Sequence, residues 1–222
     1  IWLEEIAAEM RSDHGVEVCT LAYDLSVLDN ARALHGVLAE RAIQIDYLVN
    51  NAGFGSYGPF IDGDAERQQE MIALNIAALT QLTRLFVPDM VARRSGCVLN
   101  VASTAAFQPG PMMAVYFSTK AYVLHFSEAV ANELKGTGVS VTALCPGTTE
   151  SEFASTANAE RSLIFTMRTL PTSADVARYG YRAAHRQKRV AVHGLLNKAL
   201  VQLVRFTPRA LVAAIARRMM AD

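Results

Sequence analysis

A tyrosine and a lysine stand four residues apart near the middle of the chain, as Tyr116-x-x-x-Lys120. On a helix this spacing places both side chains on one face, with Cβ atoms roughly 6 Å apart. At an effective dielectric constant of ~20, the ammonium would stabilise a phenolate by roughly 3 kcal/mol and so lower the tyrosine pKa. The pair could then exchange a proton near neutral pH, as general acid–base catalysis requires. The same spacing also occurs in exposed helix pairs that have no function.

Small and polar residues follow the apolar runs that the sequence predicts as strands. In a parallel sheet the ligand lies beyond the carboxyl ends of the strands, so these positions are candidates for binding. Each also has an ordinary structural explanation, since Asp24 and Ser103 could cap helices and Pro146-Gly147 could simply turn the chain. The candidates are Asp24, Asn51, Ala52, Gly53, Ser103, Pro146, Gly147, Thr148 and Ser151.

Asn75 lies inside a long helical pattern, where asparagine is a mediocre residue because its amide competes for backbone partners. It could be a buried amide bonded to a neighbouring carbonyl, or it could mark a local kink that holds a water molecule.

The stretch Gly53–Gly58 matches the pattern G-x-G-x-x-G of dinucleotide-binding loops. Such a loop binds phosphate because a helix begins within it and points its N-terminus at the pyrophosphate. Here Pro59 follows, and the next helix is predicted to begin only near Ala65. We therefore interpret the match as accidental.

Strand-like and helical patterns alternate along the chain, which predicts an α/β fold with a doubly wound parallel sheet. Strands are predicted at Val16–Ala22, Tyr47–Asn50, Gly96–Ala102, Val139–Leu144 and Arg189–Val192. Helices are predicted at Ile1–Met10, Leu28–Arg41, Ala65–Arg93, Ala114–Lys135, Ser173–Arg186 and Leu195–Met220, the last broken near Pro208. No repeat or low-complexity linker interrupts this pattern, so residues 1–222 are expected to form a single domain.

The composition excludes several classes of function. The 222 residues include 21 basic and 21 acidic side chains, and a net charge of zero gives no general attraction to nucleic acid. Cys19, Cys97 and Cys145 form no C-x-x-C pair, which argues against a disulfide scaffold or a metal site and favours a reducing, cytoplasmic compartment. No uncharged apolar run reaches ~18 residues, so no transmembrane span is expected.

Taken together, these residues resemble the short-chain dehydrogenase/reductase family, in its compact single-domain branch. The resemblance rests on Asn50-Asn51-Ala52-Gly53, Asn75, Ser103, Tyr116-x-x-x-Lys120 and Pro146-Gly147, which stand in the family's order. It covers essentially the whole chain, least specifically the C-terminal third, and it implies a Rossmann-like fold.

The resemblance implies a role for each of the four central residues. Tyr116 would give a proton to a carbonyl oxygen or take one from an alcohol, and Ser103 would orient the substrate oxygen. Lys120 would lower the tyrosine pKa and bind the nicotinamide ribose. Asn75 would hold a water molecule that links Lys120 to solvent.

The resemblance also implies where a nicotinamide cofactor would lie. Its adenine would be near Asp24 and Leu25, and its adenosine side would be lined by Asn51, Ala52 and Gly53. The nicotinamide would be flanked by Pro146, Gly147 and Thr148, with Ser151 at a position where the family usually has threonine.

The chain departs from the family pattern at its beginning. The family opens with a strand, a Gly-rich turn, a helix and a second strand, and none of these is found before Val16. The two strands would lie between the strand ending near Ala22 and the one ending near Asn50, so a gap of ~10 Å in the sheet is expected. We therefore hypothesise that the sequence is the N-terminally truncated part of a longer protein, and that the 222 residues alone bind a nicotinamide nucleotide poorly.

The residues that select between NADP(H) and NAD(H) belong to the part that is not found. Thr137-Gly138-Val139 and the basic C-terminal stretch nevertheless resemble the branch of acyl and ketone reductases that favours NADP(H). We expect NADP(H), with NAD(H) as the alternative.

Apolar residues on both sides of the predicted site indicate either a lipophilic substrate, such as an oxoacyl group or another ketone, or ordinary core packing. They are Ala105, Ala106, Phe107, Met112, Met113, Phe153, Leu163, Ile164, Phe165 and Met167.

The helical segment Leu195–Met220 carries five basic side chains among apolar ones. It could lie on an anionic membrane surface, but packing on the core or on a partner subunit is the favoured interpretation.

The sequence thus predicts an oxidoreductase that transfers a hydride between NAD(P)(H) and a ketone or secondary alcohol, with a small-molecule substrate and a homo-oligomeric state. The alternative is a non-catalytic fragment or binding module that keeps the fold. An extended-branch sugar-nucleotide epimerase would need a further domain, for which 222 residues leave little room.

Overall fold

A four-stranded parallel sheet forms the centre of the computed structural model, which describes residues 2–157, 159 and 170–220. The strands are β1 (Tyr47–Asn50), β2 (Gly96–Val101), β3 (Val139–Cys145) and β4 (Val190–Val192), and they neighbour one another in chain order. Asn50 pairs with Asn100, so the carboxyl ends of β1 and β2 lie side by side. These four strands confirm the predicted ones to within a residue.

Helices connect and cover the strands. They are α1 (Trp2–His14), α2 (Leu28–Glu40), α3 (Ala65–Ile72), α4 (Leu79–Ala92), α5 (Ala114–Glu133), α6 (Phe153–Thr156), α7 (Ser173–His185), α8 (Leu195–Val204) and α9 (Arg209–Met220). The predicted break near Pro208 is confirmed by the gap between α8 and α9.

The sheet is covered on both faces because alternate residues of its central strands point to opposite sides. Val98 and Val141 pack with Phe86 of α4 on one face. Leu99 and Leu144 pack with Val176 of α7 on the other. The doubly wound α/β architecture predicted from the alternation of patterns is therefore confirmed.

The strand predicted at Val16–Ala22 is wrong, because these residues have no regular secondary structure. A strand needs a neighbour for its backbone groups, and no described segment pairs with this one or with the outer edge of β1. Side chains hold the segment instead: Arg11 donates to the Val18 carbonyl at 2.6 Å, and Arg41 donates to the Cys19 sulfur at 2.9 Å.

The helix predicted at Ala65–Arg93 is interrupted by a π-helical turn at Ala73–Ala78, between α3 and α4. Asp64 begins the helix by accepting hydrogen bonds from two backbone N–H groups of its first turn. The run over residues 65–92 is long and apolar enough to cross a bilayer. We interpret it as a core helix, because Leu82, Phe86 and Met90 are buried against the sheet.

Buried amides connect the first two strands to the helices beside them. The Asn50 amide donates to the Asn100 side-chain oxygen at 2.8 Å and lies 3.2 Å from the Thr83 hydroxyl of α4. Asn100 in turn donates to the Ser127 hydroxyl of α5 at 2.9 Å. Buried polar groups must be paired, so this chain of bonds fixes how α4 and α5 sit against the carboxyl ends of β1 and β2.

We expect the Asn100→Ala variant to lose about 1–3 kcal/mol of unfolding free energy, because it leaves the Asn50 amide and the Ser127 hydroxyl without a shared partner. Chemical denaturation measures the change. Asn132→Ala, at an exposed position of α5, is the control and should change the unfolding free energy by less than about 0.5 kcal/mol. Equal losses in the two variants would contradict a structural role for the amide chain.

Candidate active site

Tyr116, Lys120 and Ser103 meet where β2 ends. Tyr116 and Lys120 lie one turn apart on α5, and the Lys120 nitrogen is 5.8 Å from the centre of the Tyr116 ring. Lys120 is buried and donates a hydrogen bond to the carbonyl of Val101, the last residue of β2, at 2.7 Å. Ser103 follows two residues later, lines the same cleft as Tyr116, and its side chain lowers the pKa of the Tyr116 hydroxyl. The predicted juxtaposition of these three groups is confirmed.

Ser103 has the capping role that its position suggested, and its role toward a substrate oxygen stays a prediction. Its hydroxyl accepts a hydrogen bond from the Ala105 N–H at 3.1 Å and so caps the short 3₁₀ turn at Thr104–Phe107. The same oxygen faces Tyr116. The cap holds the serine side chain in place, which orients it for a second partner in the cleft.

The pKa of Tyr116 moves in the direction opposite to the prediction. Burial raises the pKa of its hydroxyl to about 12, and the nearby Ser103 side chain opposes this only in part. The predicted lowering by Lys120 is wrong for the chain by itself, because the ammonium is bonded to the Val101 carbonyl and loss of water destabilises the phenolate more. Burial also lowers the pKa of Lys120 to about 8, so most of this lysine is charged at pH 7.

Asn75 lies in the π-helical turn and is almost fully buried. Its side chain exchanges two hydrogen bonds with the backbone of Phe54, at 2.9 Å and 3.1 Å, and donates to the Thr119 hydroxyl at 3.1 Å. Both the buried amide and the local distortion of the helix are confirmed. The water molecule that Asn75 would hold stays a prediction. Thr119 is a residue that the sequence reasoning missed, although it stands directly before Lys120.

The loop after β1 approaches Asn75 closely. A Cβ atom at Gly53 would lie 2.8 Å from the Asn75 side-chain oxygen and 3.6 Å from the Lys120 nitrogen. Only glycine leaves room for this approach. Beyond it the chain forms a short 3₁₀ turn at Phe60–Asp62, and α3 begins only at Ala65. The interpretation of Gly53–Gly58 as an accidental match is confirmed, since no helix opens within it.

A cleft of about 1190 Å³ lies over the carboxyl ends of the strands. Nine of the predicted site residues line it: Asn51, Gly53, Ser103, Tyr116, Lys120, Pro146, Gly147, Thr148 and Ser151. The other four do not line it: they are Ala52, Asn75, Asp24 and Leu25, of which Asn75 is buried and bonded to the backbone of Phe54. Topology brings the nine together, because residues that follow parallel strands gather at one edge of the sheet.

Asp24 and Leu25 do not line the cleft at the carboxyl ends of the strands. The Asp24 carboxylate is exposed and accepts hydrogen bonds from the Ser26 N–H and hydroxyl, which lower its pKa. It is not the N-cap of α2, because that position is Val27, so the predicted cap is wrong. Leu25 packs against the hydrophobic core. The adenine contact predicted for this pair stays a prediction.

Apolar side chains surround Tyr116. Its ring lies 5.0 Å from the Phe153 ring and clusters with Met112, Met113 and Ala105. Ala106 and Phe107 pack in the core instead. The predicted wall residues Leu163, Ile164, Phe165 and Met167 lie outside the described residues.

Met220 at the end of α9 also lines the cleft, and its carbonyl accepts a hydrogen bond from the Tyr57 hydroxyl. The sequence reasoning missed Met220 because it is about 100 residues from Tyr116 in the chain.

The sequence model of the family described as short chain dehydrogenase matches residues 2–162. The chain belongs to this family. It is 36% identical over 152 residues to a short-chain dehydrogenase of Pseudocercospora fijiensis, covering 68% of this chain and 49% of the relative. It is 33% identical over 141 residues to a very-long-chain 3-oxoacyl-CoA reductase of Laccaria bicolor, covering 63% and 42%. The chain thus spans about half the length of the curated relatives that it matches.

A short-chain dehydrogenase from Sphingobium yanoikuyae, solved in complex with NADPH, has a similar structure. It superposes with a TM-score of 0.79 at 29% identity, over 94% of this chain and 83% of that one. The Rossmann-like fold implied by the sequence resemblance is confirmed.

The described residues of this short-chain dehydrogenase fit one half of a nicotinamide nucleotide. A lysine ammonium has three N–H donors, and the Val101 carbonyl takes one of those of Lys120, which leaves donors for ribose hydroxyls at the cleft. Pro146-Gly147-Thr148 borders the same cleft. For the phosphates, no Gly-rich turn that opens a helix is found along the described part of the cleft.

We expect Gly53→Ala to lower the unfolding free energy by about 1–3 kcal/mol, because the added Cβ pushes against the Asn75 amide. Gly36→Ala is the matched control. It lies inside α2 with open space around it and should raise the unfolding free energy by about 0.5–1 kcal/mol. Thermal and chemical denaturation measure both variants. A Gly53→Ala variant as stable as Gly36→Ala would contradict the close approach of this loop to Asn75.

Proposed function

We propose that the protein transfers a hydride between NADP(H), in preference to NAD(H), and a ketone or secondary alcohol of a lipophilic oxoacyl type. The observation that carries this proposal is the meeting of the Tyr116 and Ser103 side chains and the buried Lys120 ammonium in one cleft at the carboxyl end of β2. A bound nicotinamide supplies or accepts the hydride. The chain's own residues bind and orient the substrate oxygen and move the proton.

Tyr116 is the proposed proton donor in the direction of reduction. Its raised pKa keeps the hydroxyl protonated at physiological pH, so a proton is available when the carbonyl oxygen gains negative charge. The Ser103 hydroxyl would donate a second hydrogen bond to the same oxygen. After transfer, the Lys120 ammonium stabilises the phenolate that is left behind, because the charge lies within about 6 Å of the ring in a site of low dielectric constant. Oxidation of the alcohol runs the same proton path in reverse.

The apolar surroundings of Tyr116 support a lipophilic substrate. Phe153, Met112 and Met113 present rings and flexible thioethers beside the reacting hydroxyl, and these adapt well to an alkyl chain. The similarity to a very-long-chain 3-oxoacyl-CoA reductase also supports an oxoacyl group. The NADPH complex of the similar Sphingobium structure supports NADP(H). The three free cysteines, two of them buried, are compatible with the reducing, cytoplasmic compartment that we also propose.

We expect Tyr116→Phe to reduce kcat/KM for NADPH-dependent reduction of a 3-oxoacyl thioester by about 10²–10⁴-fold, since it removes the general acid. Tyr122→Phe is the matched control on the same helix. Its hydroxyl only bonds to Thr80 at the surface, so activity should be kept. The assay uses the longest natural form of the protein and compares NADPH with NADH. Equal turnover by wild type and Tyr116→Phe would refute the proposed acid, and no turnover by either would favour a binding module that keeps the fold.

We expect kcat/KM for reduction to fall about tenfold per pH unit above pH 8. The lowered pKa means that Lys120 is charged below about 8 and neutral above it, whereas Tyr116 stays protonated throughout this range. Lys120→Arg should remove the fall, because a guanidinium stays charged. Lys135→Arg, at an exposed position after α5, should leave the profile unchanged. An unchanged fall in an active Lys120→Arg variant would contradict the assignment.

A further inference from the structure

The helices α8 and α9 pack on the protein with one stripe of side chains and leave a second apolar stripe uncovered. Val201 in α8 and Val212, Ala216 and Met220 in α9 are buried. The packing predicted for Leu195–Met220 is therefore confirmed for the side of the helices that carries these four residues. Other apolar side chains of the same helices are exposed, which packing on the core does not explain.

The exposed apolar residues recur at helical spacing. In α8 they are Leu196, Leu200 and Leu203, and in α9 they are Leu211, Ile215 and Met219. These spacings of three and four residues place each set on one side of its helix. Leu195 before the first set is 83% exposed, and Phe206 between the helices is 84% exposed. Exposed clusters of apolar side chains on a protein surface mark sites that bind an apolar partner.

Charge is segregated toward the same end of the chain. Ten of the 21 basic residues and none of the 21 acidic ones lie between Val176 and Met220, so this segment has a charge of +10 and the remaining residues have −10. All ten are exposed, and Arg178 is the one that takes part in an ion pair within the described residues. The zero net charge of the whole chain hides this asymmetry.

We propose that the surface formed by α8, α9 and Phe206 docks on an anionic lipid bilayer. Exposed leucine, isoleucine, methionine and phenylalanine side chains would enter the boundary between headgroups and acyl chains, and Lys198, Arg205, Arg209, Arg217 and Arg218 would contact the negative headgroups. Apolar side chains along one side of a helix together with basic side chains on the same helix are typical of helices that lie at a membrane surface. The inference concerns binding alone and holds whether or not the proposed reaction is correct.

The charge favours a bilayer over other occupants of this surface. A second copy docking through the same surface would bring together two sets of the five basic side chains that this surface carries, which an isologous interface cannot avoid. An acidic protein would satisfy the arginines but would have to cover a row of leucines with its own apolar side chains. Anionic lipid supplies negative charge and hydrocarbon side by side.

Co-sedimentation of the full chain with phosphatidylglycerol vesicles tests the proposal, with phosphatidylcholine vesicles as the uncharged comparison. We expect binding to phosphatidylglycerol that is at least about tenfold tighter and that weakens as salt is added. Arg217→Gln combined with Arg218→Gln should weaken binding by about 30-fold, while Arg32→Gln combined with Arg84→Gln, at exposed positions outside the segment, should have little effect. Equal binding to both lipids, or equal losses in the two pairs of variants, would overturn the proposal.

A second pair of variants tests the apolar part. Leu203→Ser combined with Phe206→Ser should weaken binding to phosphatidylglycerol by about tenfold or more, because less apolar surface leaves water. Phe60→Ser combined with Ile61→Ser removes a similar exposed pair elsewhere and should leave binding unchanged. Sedimentation velocity without lipid provides the last readout. If Leu203→Ser with Phe206→Ser dissociates an oligomer and leaves vesicle binding intact, the surface is an interface between copies and the proposal fails.

Discussion

The ammonium group of Lys120 is buried where β2 ends, and the candidate site depends on how the fold accommodates that charge. Burial of a cation is costly unless hydrogen bonds compensate it. The Val101 carbonyl provides one such bond, since the strand ends there and its last carbonyl turns toward α5. Even so, burial lowers the lysine pKa to about 8, which places its change of charge close to physiological pH. A lysine whose ammonium was fully compensated by hydrogen bonds would keep its ordinary pKa, and its charge would not respond to a ligand in the cleft.

The elements next to Lys120 fix the positions of the loop and side chains that surround it. The π-helical turn between α3 and α4 brings Asn75 to the loop after β1, where it holds both backbone groups of Phe54. The absence of a side chain at Gly53 lets that loop come within reach of the same amide. Behind them, Asn50 and Asn100 link the two strand ends to α5. A distorted helix and buried amides cost stability in isolation, but here each one fixes the position of a group that faces the cleft.

The C-terminal third of the chain obeys a different constraint. Its last two helices, α8 and α9, contribute little to the central core, with few buried side chains, and they leave much of their apolar surface in contact with water. Met220 nevertheless lines the cleft beside the apolar cluster around Tyr116. The same segment therefore completes the wall of the site on its inner side and presents leucines and arginines on its outer side.

Much of this protein follows from the order of its residues alone. Continuous apolar runs separated by helical periods determine a parallel sheet covered on both faces, and residues that follow such strands must gather at one edge. Helical spacing alone places Tyr116 beside Lys120. The absence of a helix that begins within Gly53–Gly58 is enough to exclude a phosphate-binding loop there. These features are local or depend only on topology, and for that reason the order of the residues determines them.

Tertiary structure decided what depends on surroundings. Val16–Ala22 has the pattern of a strand, but a strand forms only beside a partner. Asp24 is of a residue type that often caps helices, but its carboxylate accepts hydrogen bonds from Ser26, and α2 begins only at Leu28. The Tyr116 pKa rises because burial outweighs the opposing effect of the Ser103 side chain, and Phe153 and the methionines pack around the ring. Met220 reaches the cleft only because α9 packs back across the molecule. Partners, solvent exposure and long-range contacts are properties of the folded chain, and for that reason the pattern of residues left them undetermined.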